Sequence, residues 1–99
     1  MKLTKYEHAC FTVEKNGAIL VVDPGNKTSD FTIPDNVVAV IVTHEHHDHC
    51  YPDTLTEILN RNPSAVIYGP QEALDQLDSS LSTQATKPGD SVEIPRMVY

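Results

Sequence analysis

Residues 37–42, VVAVIV, are apolar without a break, and all but Ala39 are β-branched. A run of that length with no polar alternation is a strand buried on both faces, as in sheets that helices cover. Such a strand cannot stand alone, so the rest of a short chain must supply both its neighbours and its cover. The residues that follow at once, THEHHDHC over 43–50, put the densest chemistry of the chain at the strand's carboxyl edge. That edge is where layered α/β folds bind their ligands.

The remaining segments supply the other layers. Residues 2–6 and 9–14 are short and rich in β-branched and aromatic side chains, and Lys15-Asn16-Gly17 is an Asn-Gly turn signal. AILVV, 18–22, is then the hairpin partner. It stops at Asp23-Pro24-Gly25, where proline removes a ladder donor and glycine offers turn freedom. Residues 26–36 are polar, contain Pro34 and read as a loop. Beyond Pro52 the spacing of Leu55, Ile58 and Leu59 is helical, and Asn60 to Pro63 ends that helix. AVIY, 65–68, is a further strand. Residues 71–79 read as a second helix with Ala73, Leu74 and Leu77 on one face, and SVEI, 91–94, as a strand entered from Pro88-Gly89-Asp90. Hairpin, strand, helix, strand, helix, strand is an α/β layered pattern. The chain then stops at PRMVY without a capping element and reads as interrupted.

Ninety-nine residues leave room for one domain and no second one. An apolar fraction of 39% supports a modest core. A domain of this size buries only roughly 60–70% of its unfolded surface, so a bound metal or a partner would add stability. Seven Lys and Arg against fourteen Asp and Glu give a net charge of −7. That balance argues against nucleic acid or an anionic membrane as the main partner and suits cations. The first residues lack the apolar core of a signal peptide, and no stretch approaches the ~18 apolar residues of a membrane span. The expected location is the cytoplasm, with Cys10 and Cys50 reduced and buried rather than paired.

In an extended segment alternate side chains share a side, so His44, His46 and Asp48 can converge while Glu45 and His47 face away. A backbone that then turns into the helix swings His49 toward the same pocket. Imidazole nitrogen and carboxylate oxygen suit zinc, manganese or iron. The bland alternative is a solvated histidine tract with adventitious metal affinity. His44-Glu45 also begins like the zincin HExxH, but the fifth position is Asp48, and that reading fails. His8, in the first hairpin, is a candidate for ligand or substrate contact from a neighbouring strand, or more simply a satisfied structural histidine. Cys50 is either a soft metal contact or, more simply, a small buried hydrophobe.

HxHxDH directly behind a β-branched strand, with ILVVDPG upstream, resembles the metallo-β-lactamase superfamily. EHACFTVE is closest to its branch of ascorbate-lactonase-like and uncharacterised hydrolases. The resemblance implies the amino-terminal half of an αββα sandwich over residues 1–99, with two divalent metal ions, zinc first. It implies that His44 and His46 hold one ion and that Asp48 and His49 hold the other. A hydroxide between the ions would attack a small-molecule ester, lactone, amide or phosphodiester, with Asp48 orienting it and Asp23 holding the loop from behind. Members of the family complete these sites with two more histidines and a bridging aspartate downstream, whereas no histidine follows His49 here. The expectation is a fragment of a hydrolase, inactive by itself. Completion by a second copy across the exposed sheet face is one alternative, and a non-catalytic, self-associating metal-binding module is the other.

Overall fold

The computed structural model describes residues 1–25 and 31–94. Six strands form one mixed sheet in the order of the chain. They are β1 (Lys2–Lys5), β2 (Phe11–Lys15), β3 (Ala18–Val22), β4 (Val37–Ile41), β5 (Val66–Gly69) and β6 (Thr83–Ala85). The first three are antiparallel, and β3 to β6 run parallel. Helix α1 (Pro52–Arg61) connects β4 to β5, and α2 (Gln71–Leu74) connects β5 to β6. Each parallel step moves one strand over in the same direction, and right-handed crossovers then put both helices on one side of the sheet.

Pairing registers sort the side chains into two faces. Thr12, Val21, Val40 and Ile67 lie opposite one another in successive strands. Of these, Val21, Val40 and Ile67 pack with Leu55, Ile58 and Leu59 of α1 and with Ala73 and Leu74 of α2 in one core cluster. The other face carries the row Leu3, Val13, Leu20, Ala39, Val66 and, one step along, Phe11, Val22, Ile41, Tyr68. Neither helix packs on it. The register shifts between Ile19 and Leu20 opposite Val37 and Ala39, leaving Val38 as an extra residue. That bulge keeps Val37 and Val40 both on the helix side, so the apolar run needs no polar alternation.

Asn62 ties the parallel layer together. It is buried. Its Nδ2 donates to the Ile58 and Pro34 carbonyls at 3.0 and 3.1 Å, and its Oδ1 accepts from the Val37 amide at 3.1 Å. One side chain thus satisfies the end of α1, the incoming loop and the start of β4.

Two expectations need correction. The second helix is regular only over Gln71–Leu74. Beyond it Gln76 and Leu77 donate to the carbonyls three residues back, and Asp78 Oδ1 accepts from the Ser80 amide at 2.9 Å, a side-chain turn that competes with helix. The sheet's last place is taken by Thr83–Ala85 instead of residues 91–94, which form no strand. Lys87 and Asp90 close a turn, with the Lys87 amide donating to Asp90 Oδ2 at 2.9 Å. The loop expected over 26–36 is irregular from 31 to 36, while 26–30 and 95–99 lie outside the described residues. Cys10 and Cys50 are both thiols and fully buried. No helix among the described residues is long and apolar enough to cross a membrane.

Candidate metal centre

The histidine loop leaves the carboxyl end of β4 and lies beside the end of β3. Asp23, just past β3, is 4% exposed. Its backbone is left-handed (φ 48°), and its amide donates to the Ile41 carbonyl at 2.9 Å. This aims the carboxylate across at the loop. Oδ1 accepts from the Thr43 amide at 2.7 Å, and Oδ2 accepts from Thr43 Oγ1 at 2.6 Å. The same Oδ2 lies 2.9 Å from His49 Nδ1, and Thr43 Oγ1 lies 2.8 Å from His44 Nδ1.

Proton counting fixes both tautomers. A carboxylate only accepts, so His49 Nδ1 carries its proton. The single hydroxyl proton of Thr43 goes to Asp23, so His44 Nδ1 donates to the hydroxyl oxygen. Each ring is left with an Nε2 lone pair for a ligand, which is how histidines are normally prepared for metal. The rings of His44 and His49 lie 4.4 Å apart.

Gly25 backs the loop from the other side. A Cβ there would meet the Asp48 carbonyl oxygen at 1.9 Å and the His49 amide at 2.7 Å. Only glycine lets the two backbones approach so closely, so close approach rather than turn freedom explains the residue. Asp48 Oδ2 lies 3.6 Å from His49 Nε2 and 2.9 Å from His8 Nε2. The hydrogen bond from His8, first of all, holds the Asp48 carboxyl below the ordinary carboxylate range.

Strand parity does not extend past Val42. Residues 45–49 bend and turn, with the amides of His49 and Cys50 donating to the His46 carbonyl at 2.9 and 2.8 Å. His46 therefore stands out on the bend, its side chain 75% exposed and 3.9 Å from the Glu45 carboxylate. His47 turns the other way, with Nε2 3.1 Å from Gln76 Oε1, and Gln76 Nε2 donates to the Glu45 carbonyl at 2.6 Å. Cys50 packs in the core and contacts the Ala73 carbonyl at 3.8 Å, and burial pushes its thiol up to about 11.

Two clusters among the described residues have donor atoms within 4.8 Å of one another: His8 with Asp48 and His49, and Asp23 with His44 and His49. In the second, Asp23 already accepts from three donors of the loop, so it holds the imidazoles from behind. Two imidazoles and a carboxylate in the first match the nitrogen and oxygen donors that zinc takes. Sequence reasoning missed Thr43 and Gln76. A hydroxyl at the junction of buried strand and histidine loop was a usable signal for Thr43, while Gln76 acts 31 residues away and left none.

A groove of about 500 Å³ opens beside His44, with Ile41, Val42, Pro70 and Pro88 among its apolar walls and Lys87 at its rim. A larger one, about 620 Å³, lies away from the histidines, between residues 31–33 and α1.

Compared with known proteins, the chain matches the beta-lactamase superfamily domain over residues 2–96. It is 32% identical over 77 residues to Protein Rv0786c of Mycobacterium tuberculosis, covering 78% of this chain and 36% of that protein. It is 33% identical over 66 residues to a hydroxyacylglutathione hydrolase of Actinobacillus pleuropneumoniae, with 63% and 27% covered. To a metal-dependent hydrolase of Bacillus cytotoxicus it is 37% identical over 71 residues, with 68% and 30% covered. The chain thus spans 27 to 36% of the length of these curated relatives. No solved structure matches it.

Proposed function

The chain belongs to the beta-lactamase superfamily, and from that premise we propose that it is the amino-terminal, metal-holding part of a cytoplasmic metal-dependent hydrolase acting on small molecules. The observation that carries the reading is the Asp23 and Thr43 relay, which points Nε2 of both His44 and His49 outward. The relay both anchors the loop backbone at Thr43 and fixes the orientation of the two imidazoles.

His44 and His46 would hold one divalent ion, and Asp48 and His49 a second, with zinc the metal their nitrogen and oxygen donors suit. When bound, the metal supplies Lewis acidity and brings the pKa of water toward ~7. His46 reaches its position by rotating from its exposed bend. Asp48, whose carboxyl the His8 hydrogen bond holds below the ordinary range before metal binds, would orient the attacking water. The groove beside His44 falls within the size range of small-ligand sites and has the mixed lining that suits an ester, lactone, amide or phosphodiester. Burial of both thiols fits a reducing compartment. The sheet face that neither helix covers and the relatives' greater length support a partial domain that further chain completes.

The test is elemental analysis after purification without chelator, for the parent and a His44→Ala/His46→Ala double variant. Near-stoichiometric zinc in the parent and its loss in the variant are expected. A longer reading frame containing this chain would then hydrolyse chromogenic lactones, thioesters or phosphodiesters, lose activity with chelator and regain it with zinc. A metal-free parent together with a chelator-insensitive longer protein would overturn the reading. The partly exposed apolar face that neither helix covers favours one second reading, a self-associating metal-binding module, in which metal binds and no turnover appears in any length of chain.

A further inference from the structure

His8 sits in the turn between β1 and β2 with a left-handed backbone (φ 57°), a conformation that residues with a Cβ keep only where their surroundings hold it. Here the Tyr6 amide donates to the Cys10 carbonyl at 2.9 Å, and Lys5 Nζ donates to the carbonyls of Tyr6 and His8. The held turn carries the imidazole to a residue 40 positions away, with Nε2 2.9 Å from Asp48 Oδ2. His49 Nε2 stands on the other side of the same oxygen at 3.6 Å. The His8 and His49 rings are 5.7 Å apart, edge to face.

A zinc ion with ligands at ~2.0–2.2 Å in tetrahedral array sets its donor atoms about 3.3 Å apart. Two of the three donor spacings, 2.9 and 3.6 Å, straddle that figure and all three donor atoms lie within 4.8 Å of one another, so side-chain rotation, with the His8 proton moved to Nδ1, would open the space an ion needs. His49 is already turned to offer Nε2, because its Nδ1 proton is engaged by Asp23. Resting on the metal-dependent reading above, we propose that His8 is itself a metal ligand. With Asp48 and His49 it forms a three-donor zinc site lying wholly within the first fifty residues. Three protein donors are the number that catalytic zinc sites use. His8 thus supplies a donor from the amino-terminal hairpin, in a chain where no histidine follows His49.

The experiment is calorimetric titration of the metal-stripped protein with zinc, and a parallel titration with cobalt(II) followed by its visible absorption. Parent, His8→Gln, His8→Ala, Asp48→Asn and the His44→Ala/His46→Ala double variant are compared, with circular dichroism checking that each is folded. Glutamine keeps an amide that can donate to Asp48 but is a poor zinc donor, so it separates a ligand from a hydrogen-bonding neighbour. The proposal expects His8→Gln and His8→Ala to weaken zinc by more than the roughly 10- to 100-fold that outer hydrogen-bonding partners produce. It also expects the cobalt spectrum of both to change, with circular dichroism unaltered. If His8→Gln binds within a few-fold of the parent while Asp48→Asn or the double variant loses its ion, the His8 assignment fails and the metal-dependent reading stands. If the folded parent takes up neither metal, the proposed site is overturned as well.

Discussion

Asp23 accepts from two groups of Thr43 and one of His49 while only 4% exposed, so every lone pair it aims at the loop has a task. Replacing one oxygen by an amide in Asp23→Asn puts a donor against a donor. The expected result is a folded protein whose zinc affinity falls by roughly 10- to 100-fold, the range for residues that orient histidine ligands. Thr43 gives the sharper comparison: Thr43→Val keeps the shape and removes the link to His44, whereas Thr43→Ser keeps the link. Zinc titration should show a loss for valine and near-parent binding for serine. Cys50 supplies a pH test. Its thiol, pushed up to about 11 by burial first and by the Asp23 charge second, stays protonated where an unfolded cysteine has ionised. Stability from this group is therefore complete below the ordinary thiol pKa of about 8.5 and drains away as pH rises toward 11. Iodoacetamide at pH 8 should leave Cys50 unmodified in folded protein and label it once denaturant is added. The placement of Asp23, His44 and His49 at the strand ends was legible in the sequence, whereas that of His46 was not, because strand parity stops at Val42. Thr43 was not, since a threonine after a strand is ordinary until its hydroxyl is seen between two functional groups.

At the scale of elements, the Asp-Pro-Gly stop after β3 and the turn of 45–49 form one unit, because Gly25 lies against the Asp48–His49 peptide. Gly25→Ala forces the Asp48 backbone to move, for its Cβ has 1.9 Å where van der Waals contact needs about twice that. Overpacking of this kind costs about 1–3 kcal/mol. A denaturant melt should show that loss, and zinc titration should show weakened binding, with Asp23 and both histidines intact. The elements that were legible share strong apolar periodicity: AILVV, VVAVIV and the Leu55, Ile58, Leu59 face became the elements expected, although helices cover VVAVIV on one face only. β6 was hidden because Thr83, Gln84 and Ala85 are exposed and bury nothing. Only backbone pairing reveals it, through the Ile67 amide on the Ser82 carbonyl and the Thr86 amide on the Gly69 carbonyl, at 2.9 and 2.8 Å. The second helix was overread because Leu77 still packs against the core after the helix has ended. Apolar spacing marks what is buried, and Asp78 with Ser80 decides where the hydrogen bonds stop.

At the scale of the molecule, the one-way order of the parallel strands has put all helical cover on one side. The opposite face buries Val22, Ala39 and Tyr68 but leaves Leu3, Phe11, Val13, Leu20, Ile41 and Val66 partly or largely exposed, with Leu3 68% exposed. Contiguous apolar surface of this kind marks an interaction site in a stable protein and an aggregation site in an uncovered one. The net charge of −7 opposes association, while burial of two such faces against each other favours it. Charge repulsion between exposed groups is screened within ~8–10 Å at physiological salt, and apolar burial is not, so salt should shift the balance toward the associated form. Sedimentation velocity is expected to show a concentration-dependent dimer or larger species that grows with salt. Leu20→Lys, at the centre of the face and remote from the histidine loop, should shift the population to monomer without altering zinc binding. A parent that stays monomeric at high concentration and in high salt would mean that the uncovered face is tolerated in water, and self-association would drop out of the functional reading.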